Sequence, residues 1–296
     1  MRVLCAYIET MMKKYIAILA TAITLTACSS TEEKQASRLY QEAESAYQNE
    51  QYAYASALLD SIENHCKSAI EWRKAGHALN YQVQLAMQED SLATADTMLL
   101  TITPIINEMV KANNFLYEKG EYDELGYYYV KGSDTKSNLG RSYVHATVNE
   151  YGNVSLISEY RGGAYINHTQ LRFIGSDHSE VVTANVPLER EGANYHFKNQ
   201  GLCHESVTYV NDSALAFVDM QVGDSKLKAE LVCKEGTKKY PVQLTTKDRN
   251  DIALTYQLGK MLAAQLRFSQ QSKVAGEKIK FLKAKIETNK NKDNNK

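Results

Sequence analysis

The C-terminal segment carries the strongest constraint on what this chain can fold into. Leu254, Leu258, Met261, Gln265, Phe268, Ser272, Ala275, Ile279, Leu282 and Ile286 follow one another at steps of four and three residues. That is the heptad spacing that keeps one apolar seam on one side of a helix. A long helix over 248–289 is expected, about 60 Å from end to end at 1.5 Å per residue. Its seam must be covered. Packing in cis on other helices of the chain would cover it, and so would self-pairing into a coiled-coil dimer. Gln265 and Ser272 interrupt the seam with polar side chains, and Gly276 is a point where the helix would bend or end. Lys273, Lys278, Lys280, Lys283, Lys285, Lys290, Lys292 and Lys296 face only Glu277, Glu287 and Asp293 in this last part. The excess reads as a solvated face and a disordered basic tail over 290–296, or as attraction to anionic headgroups.

The helices that would cover the seam in cis lie at the other end. From 35 to 113 apolar residues recur at helical spacing, as in Leu39, Ala43, Ala46 and Tyr47 and again in Tyr52, Ala55, Leu59 and Ile62. The run Ala43-x-x-Ala46, Tyr52-x-x-Ala55-x-x-x-Leu59-x-x-Ile62 resembles one tetratricopeptide repeat, in which small residues bring two antiparallel helices together. Glu50 stands where that repeat usually has its turn glycine, and no proline closes the unit. A second pair, Ser68–Asp90 and Ser91–Asn113, does not keep the 34-residue period, and Pro104 should kink or interrupt its last helix.

At Gly120 the period changes from helical to two. Leu125–Lys131, Arg141–Asn149, Val154–Tyr160, Ile166–Ile174, Glu180–Val186, Tyr195–Lys198, Ser206–Val210, Ala214–Met220, Lys226–Val232 and Lys239–Leu244 read as strands, with Glu150-Tyr151-Gly152-Asn153 as a hairpin turn. Short strands with tight turns between them indicate an antiparallel β-sandwich or partly open barrel. The expected fold is α+β: helical hairpins over 35–119, an antiparallel β-domain over 120–247, and the long helix 248–289 packing with the N-terminal helices.

The beginning of the chain speaks to location. Met11-Met12-Lys13-Lys14 precedes an apolar run from Tyr15, the layout of a secretory signal. The run is shorter than the roughly 20 apolar residues a membrane-spanning helix needs. It ends in Leu25-Thr26-Ala27-Cys28, which resembles the lipobox of bacterial lipoproteins. The resemblance implies removal of residues 1–27, lipid (diacylglycerol and palmitate-type acyl chains) on Cys28, and a tether over 28–34. Met1–Thr10 fits neither a signal n-region nor a folded element and is expected to be an upstream extension. Ser29 after the cysteine resembles lipoproteins sent to the outer membrane. Glu32-Glu33 resembles the export tag of some Bacteroidetes surface lipoproteins, so the inward and outward faces of that membrane both stay open. Asp212-Ser213-Ala214 resembles the Asp-Ser/Thr-apolar sites that Bacteroidetes glycosylate, and Ser213 is the best-placed acceptor. Composition and element order are together similar to lipoproteins of that phylum.

With Arg2, Lys13, Lys14 and Glu9 removed, the 34 basic and 35 acidic residues become 31 and 34, a net charge of −3. That balance argues against nucleic acid as a partner. Tyrosine is abundant, 20 against 6 Phe and 1 Trp, and suits half-exposed sheet faces and binding surfaces. In the run Tyr127-Tyr128-Tyr129 the outer two share one strand face. That face could stack on sugar rings or a partner peptide, or could serve the packing where helices hand over to sheet.

Motifs of catalysis are sparse. His196, Cys203, His204 and Cys233 have ligand chemistry but no compact metal spacing. There is no G-x-S-x-G elbow and no glycine-rich phosphate loop, although a Ser/His/acid triad is recognised by geometry and not by order. No cofactor is expected. In an oxidising envelope compartment Cys203 and Cys233, both on strand-like segments, are the pair that could form a disulfide, leaving Cys66 over. The leading expectation is a non-catalytic protein-binding or scaffold lipoprotein of the outer membrane, with an envelope protein or peptide as partner. The alternative is a glycan- or ligand-binding surface lipoprotein with Tyr127 and Tyr129 in its platform, and an envelope hydrolase comes third.

Overall fold

The computed structural model describes residues 31–233 and 238–294, so Cys28 and its lipidation lie outside the described residues. Among the described residues three helices come first: α1 (Thr31–Gln48), α2 (Tyr52–His65) and α3 (Ile70–Ala112). Ten strands follow: β1 (Phe115–Glu118), β2 (Tyr127–Val130), β3 (Tyr143–Asn149), β4 (Val154–Gly162), β5 (His168–Ile174), β6 (Glu180–Val182), β7 (Asn194–Asn199), β8 (Leu202–Val210), β9 (Lys228–Cys233) and β10 (Lys239–Val242). A short helix α4 (Ala214–Met220) lies between β8 and β9, and α5 (Thr246–Asn294) closes the chain. The fold is therefore α+β with antiparallel sheets and a long C-terminal helix. No helix among the described residues is long and apolar enough to cross a membrane.

The chain divides into two compact units, one running up to Gln88 and resuming at Lys278, the other spanning Glu89–Glu277. These limits fall inside the continuous helices α3 and α5, whereas the expected boundaries lie at 119/120, beyond the end of α3, and at 247/248, at the start of α5.

In the first unit α1 and α2 form the expected hairpin. Ala36, Ala43, Ala46 and Ala55 are buried between the helices with Leu59 and Ile62, and Tyr52 packs on this cluster from the side. Alanine at these places brings the backbones close without a side-chain entropy cost. Tyr40 meets Trp72 at 5.6 Å between ring centroids. Glu50, in the turn between α1 and α2, takes the left-handed conformation (φ 59°) that glycine adopts most readily, at a cost of about 1–2 kcal/mol. The C-terminal part of α5 in this unit buries Ile279 and Leu282.

Two corrections concern α3 and the tail. α3 is one helix of 43 residues where two were expected. Asp90-Ser91 offers cap chemistry, but no glycine or proline breaks the backbone there, so the helix propagates through it. Pro104 sits inside the helix and deprives the Leu100 carbonyl of its usual donor without ending it. Residues 290–294, expected as disordered tail, continue α5.

In the second unit two antiparallel sheets share one core. The larger has the order β1-β2-β3-β4-β8-β7 and the smaller β10-β9-β5-β6. Leu156, Val207 and Tyr209 from the first pack with Leu171, Phe173 and Leu231 from the second, together with Leu215 and Val218 of α4 and Ile252, Leu258 and Leu262 of α5. The seam of α5 is covered in cis: none of its ten positions is exposed. Its two polar breaks are contact points with α3. Gln265 Nε2 donates to Thr103 Oγ1 (2.9 Å) and Ser272 Oγ to Asp96 Oδ1 (2.7 Å), while the adjacent Gln271 Nε2 reaches Ser91 Oγ (3.0 Å). Polar pairs inside an apolar seam fix register.

Ala214–Met220, expected as a strand, is the helix α4. Asp212 Oδ1 accepts the first helical N–H, from Ala214 (2.9 Å), and Ala214, Leu215 and Val218 turn inward at helical spacing. β1 had been assigned to the helical region; it pairs with β2 from Phe115↔Val130 to Glu118↔Tyr127.

Candidate functional site: the outer face of the six-stranded sheet

Alternation along β3 sends Val144, Ala146 and Val148 into the core and Tyr143, His145 and Thr147 to the opposite face. Strand pairing aligns this second set with its neighbours. His145 lies opposite Ile157, and Ile157 opposite Thr208; Tyr143 lies opposite Glu159, and Glu159 opposite Ser206. On the other side Tyr127 and Tyr129 of β2 belong to the same face, with Glu118 of β1 paired to Tyr127. The segment Asp134–Lys136 passes over this surface. Together these groups enclose a cavity of about 460 Å³, a volume suited to a small-molecule ligand.

The tyrosine run divides as the alternation requires. Tyr127 and Tyr129 are half-buried in the cavity wall, with ring centroids 6.0 Å apart. Tyr128 turns to the core side, beside Tyr117 at 5.0 Å. Burial raises the phenols of Tyr127 and Tyr129 above their ordinary value, and the Glu118 carboxylate beside them adds to the rise. Both hydroxyls are therefore neutral donors at physiological pH. Tyr143 is pushed up to about 12, chiefly by burial. At Asp134 burial opposes ionisation, but the hydroxyl and backbone N–H of Ser137 outweigh it and hold the carboxyl below its ordinary value.

The floor is unusual. His145 is only 7% exposed, its ring stacks on Tyr143 at 5.0 Å, and neither ring nitrogen has a hydrogen-bond partner in the protein. The nearby Glu159 Oε1 is 3.8 Å from Nε2, too far for a hydrogen bond. That same oxygen accepts the Ser206 hydroxyl at 2.9 Å. A buried polar group without a partner costs about 1–3 kcal/mol, so this imidazole, both of whose nitrogens are covered, has bonding capacity that the protein itself leaves unmet.

On the core side of the same sheet a second constellation appears. Ser158 Oγ lies 2.9 Å from His168 Nε2, and His168 Nδ1 lies 2.6 Å from Glu205 Oε2. The residue types and bonding order match a hydrolase triad. All three residues are fully buried, and Glu205 is saturated by the backbone N–H groups of Ile166, Asn167 and His168. Ser158 has no surface that a substrate could reach, and the network ties the β4–β5 connection to β8.

Cys203 and Cys233 stand on strands of different sheets, both as free thiols and not as the expected bridge; Cys203 Sγ lies 3.9 Å from the Gly163 carbonyl. Ser213 is exposed at the start of α4. Of the residues considered as metal ligands, His204 stacks on Phe197 at 4.5 Å. Among the described residues no three His, Cys, Asp or Glu side chains are grouped to hold a metal ion.

His145, Glu159 and Ser206 escaped the sequence reading. Their signal was parity: each stands on the polar row of a strand whose other row is largely apolar. That they share one floor depends on the pairing of β4 with β8, some 50 residues further along the chain, which spacing does not reveal.

The fold and cavity define an α+β protein with a ligand-sized cleft on an open sheet face. Compared with known proteins, the chain matches no family model, no curated protein and no solved structure.

Proposed function

We propose that this chain is a lipid-anchored envelope protein, held at the outer membrane through Cys28, whose six-stranded sheet binds a saccharide in the cleft beside Tyr127 and Tyr129. One observation carries the reading: a buried, unpartnered imidazole on the floor of a cavity walled by tyrosines. Tyrosine offers an apolar ring face and a hydroxyl together. Glu118, Glu159 and the hydroxyls of Thr147, Ser206 and Thr208 supply directed acceptors and donors for ring hydroxyls.

Retention on an oligosaccharide array tests this. Tyr129→Ala or Tyr127→Ala is expected to weaken retention about tenfold or more, the scale of one lost aromatic anchor. An unchanged profile in both variants would sink the saccharide reading. The anchor is tested separately: palmitate labelling of cells is expected to vanish in Cys28→Ala, and continued labelling would remove the anchor from the proposal.

A scaffold role is the second reading. Leu100, on α3, is 80% exposed and offers apolar contact to a protein partner. Stoichiometric copurification of an envelope protein from solubilised membranes, with no saccharide retained, would favour it.

A further inference from the structure

We infer that the cleft selects a saccharide bearing a protonated amine. The inference rests on the saccharide reading above and assigns the chemical class of the ligand. The walls carry three carboxylates, Glu118, Asp134 and Glu159, against one ammonium, that of Lys136 on the rim. Asp134 and Glu118 are engaged locally, by Ser137 and by the tyrosine hydroxyls. Glu159 is different. Its side chain is 14% exposed, and among the described residues its one ion-pair neighbour is His145 at 3.8 Å. Arg161, two residues on along the same face, gives its guanidinium to the Leu139 carbonyl instead. A largely buried carboxylate normally has a cation against it, and here that place opens into the cavity.

The groups around the place are acceptors. Ser206 donates its proton to Glu159 Oε1, which leaves its oxygen lone pairs free. Neither ring nitrogen of His145 has a hydrogen-bond partner within the protein, and an unprotonated imidazole nitrogen is an acceptor. An ammonium has three donors and no acceptor, which matches Glu159, His145 and Ser206 in number and sign. A ligand hydroxyl has a single proton to donate and no charge. Charge-assisted bonds of this kind are about twice as strong as neutral ones.

The test is calorimetric titration of the full-length protein in detergent with glucosamine, N-acetylglucosamine and glucose oligomers of equal length and linkage. The glucosamine oligomer is expected to bind about tenfold or more tightly than either neutral oligomer. Glu159→Gln should remove that preference while leaving the melting temperature near that of the parent. Should Glu159→Gln not fold, Lys136→Glu on the exposed rim gives the same reading with opposite sign, tightening the amine ligand alone. Equal affinities for the three oligomers would overturn the amine inference and leave the saccharide reading intact, whereas no binding to any of them would overturn both. Spermidine binding as tightly as the glucosamine oligomer would overturn the inference as well, because spermidine has the ammonium groups without the ring.

Discussion

Replacing Glu205 by alanine is expected to destabilise the sheet-bearing unit by about 3–5 kcal/mol, the range for removing one partner of a buried charged network. Glu205 has no accessible surface and stands on the core side of β8. Its carboxylate accepts backbone N–H bonds from Ile166 (2.6 Å), Asn167 (2.8 Å) and His168 (3.0 Å), and the His168 ring at 2.6 Å. Asn167 is held in the left-handed conformation at φ 54° by this arrangement. Alanine would leave the buried backbone N–H and imidazole of His168 without an acceptor, each costing about 1–3 kcal/mol before relaxation, together with the part-buried N–H groups of Ile166 and Asn167. Glutamine would help little, since its NH2 group would face donors.

The same site sets a pH dependence. Burial raises the carboxyl, but bonds from the His168 ring and from the backbone at 167 and 168 outweigh it, so its pKa lies below the ordinary value. A carboxyl depressed by folding adds stability above its unfolded pKa of about 4.3. That stability is lost as pH falls through the folded value. Urea unfolding at neutral pH should therefore show a lower midpoint in Glu205→Ala with an unchanged slope. The gap between parent and variant should shrink as the buffer is acidified below about pH 4. A variant within about 1 kcal/mol of the parent at neutral pH would mean that solvent or a rearranged loop satisfies these donors.

This network explains what the sequence could and could not disclose. Hydrophobic period sufficed for the helical hairpin, for most strands and for the α5 seam, and turn-forming residues for the hairpin at Gly152, because each is a local pattern. The polar breaks at Gln265 and Ser272 were visible as breaks, but their partners Thr103 and Asp96 lie more than 150 residues away. Ala214–Met220 was misread because seven residues are too few to separate period 2 from 3.6, and the decisive cap came from Asp212, just outside the segment. Glu205 and Ser158 each interrupt an otherwise largely apolar row: Cys203, Val207 and Tyr209 on β8, Val154, Leu156 and Tyr160 on β4. A charge at core parity is the trace that a buried network leaves in sequence. His145 and Glu159 left no such trace, since polar residues on a polar row look like ordinary solvent-facing positions.

Gly152→Ala is expected to cost about 3 kcal/mol or more, the sum of a backbone and a packing term. Gly152 turns the β3–β4 hairpin at φ 82°, where a side chain strains the backbone by about 1–2 kcal/mol. A Cβ there would also meet α5: the Ala263 nitrogen at 2.5 Å, its Cβ at 2.8 Å and the Gly259 carbonyl oxygen. Those are helix backbone atoms and a methyl, which cannot rotate aside, so the hairpin or the helix must move. Overpacking of this kind typically costs about 1–3 kcal/mol. Gly201 provides the control, because it has the same left-handed backbone at φ 83° and an alanine methyl there would have no neighbour within 4 Å. Gly201→Ala should therefore show the backbone term alone, and the difference between the two variants measures the contact between the hairpin and α5. The consequence reaches the cleft, since β3 carries His145 and β4 carries Glu159 on the face away from that contact. Displacing the hairpin from α5 should weaken saccharide retention in Gly152→Ala and leave it unchanged in Gly201→Ala. Equal unfolding midpoints for the two variants would show that α5 does not hold the hairpin in place.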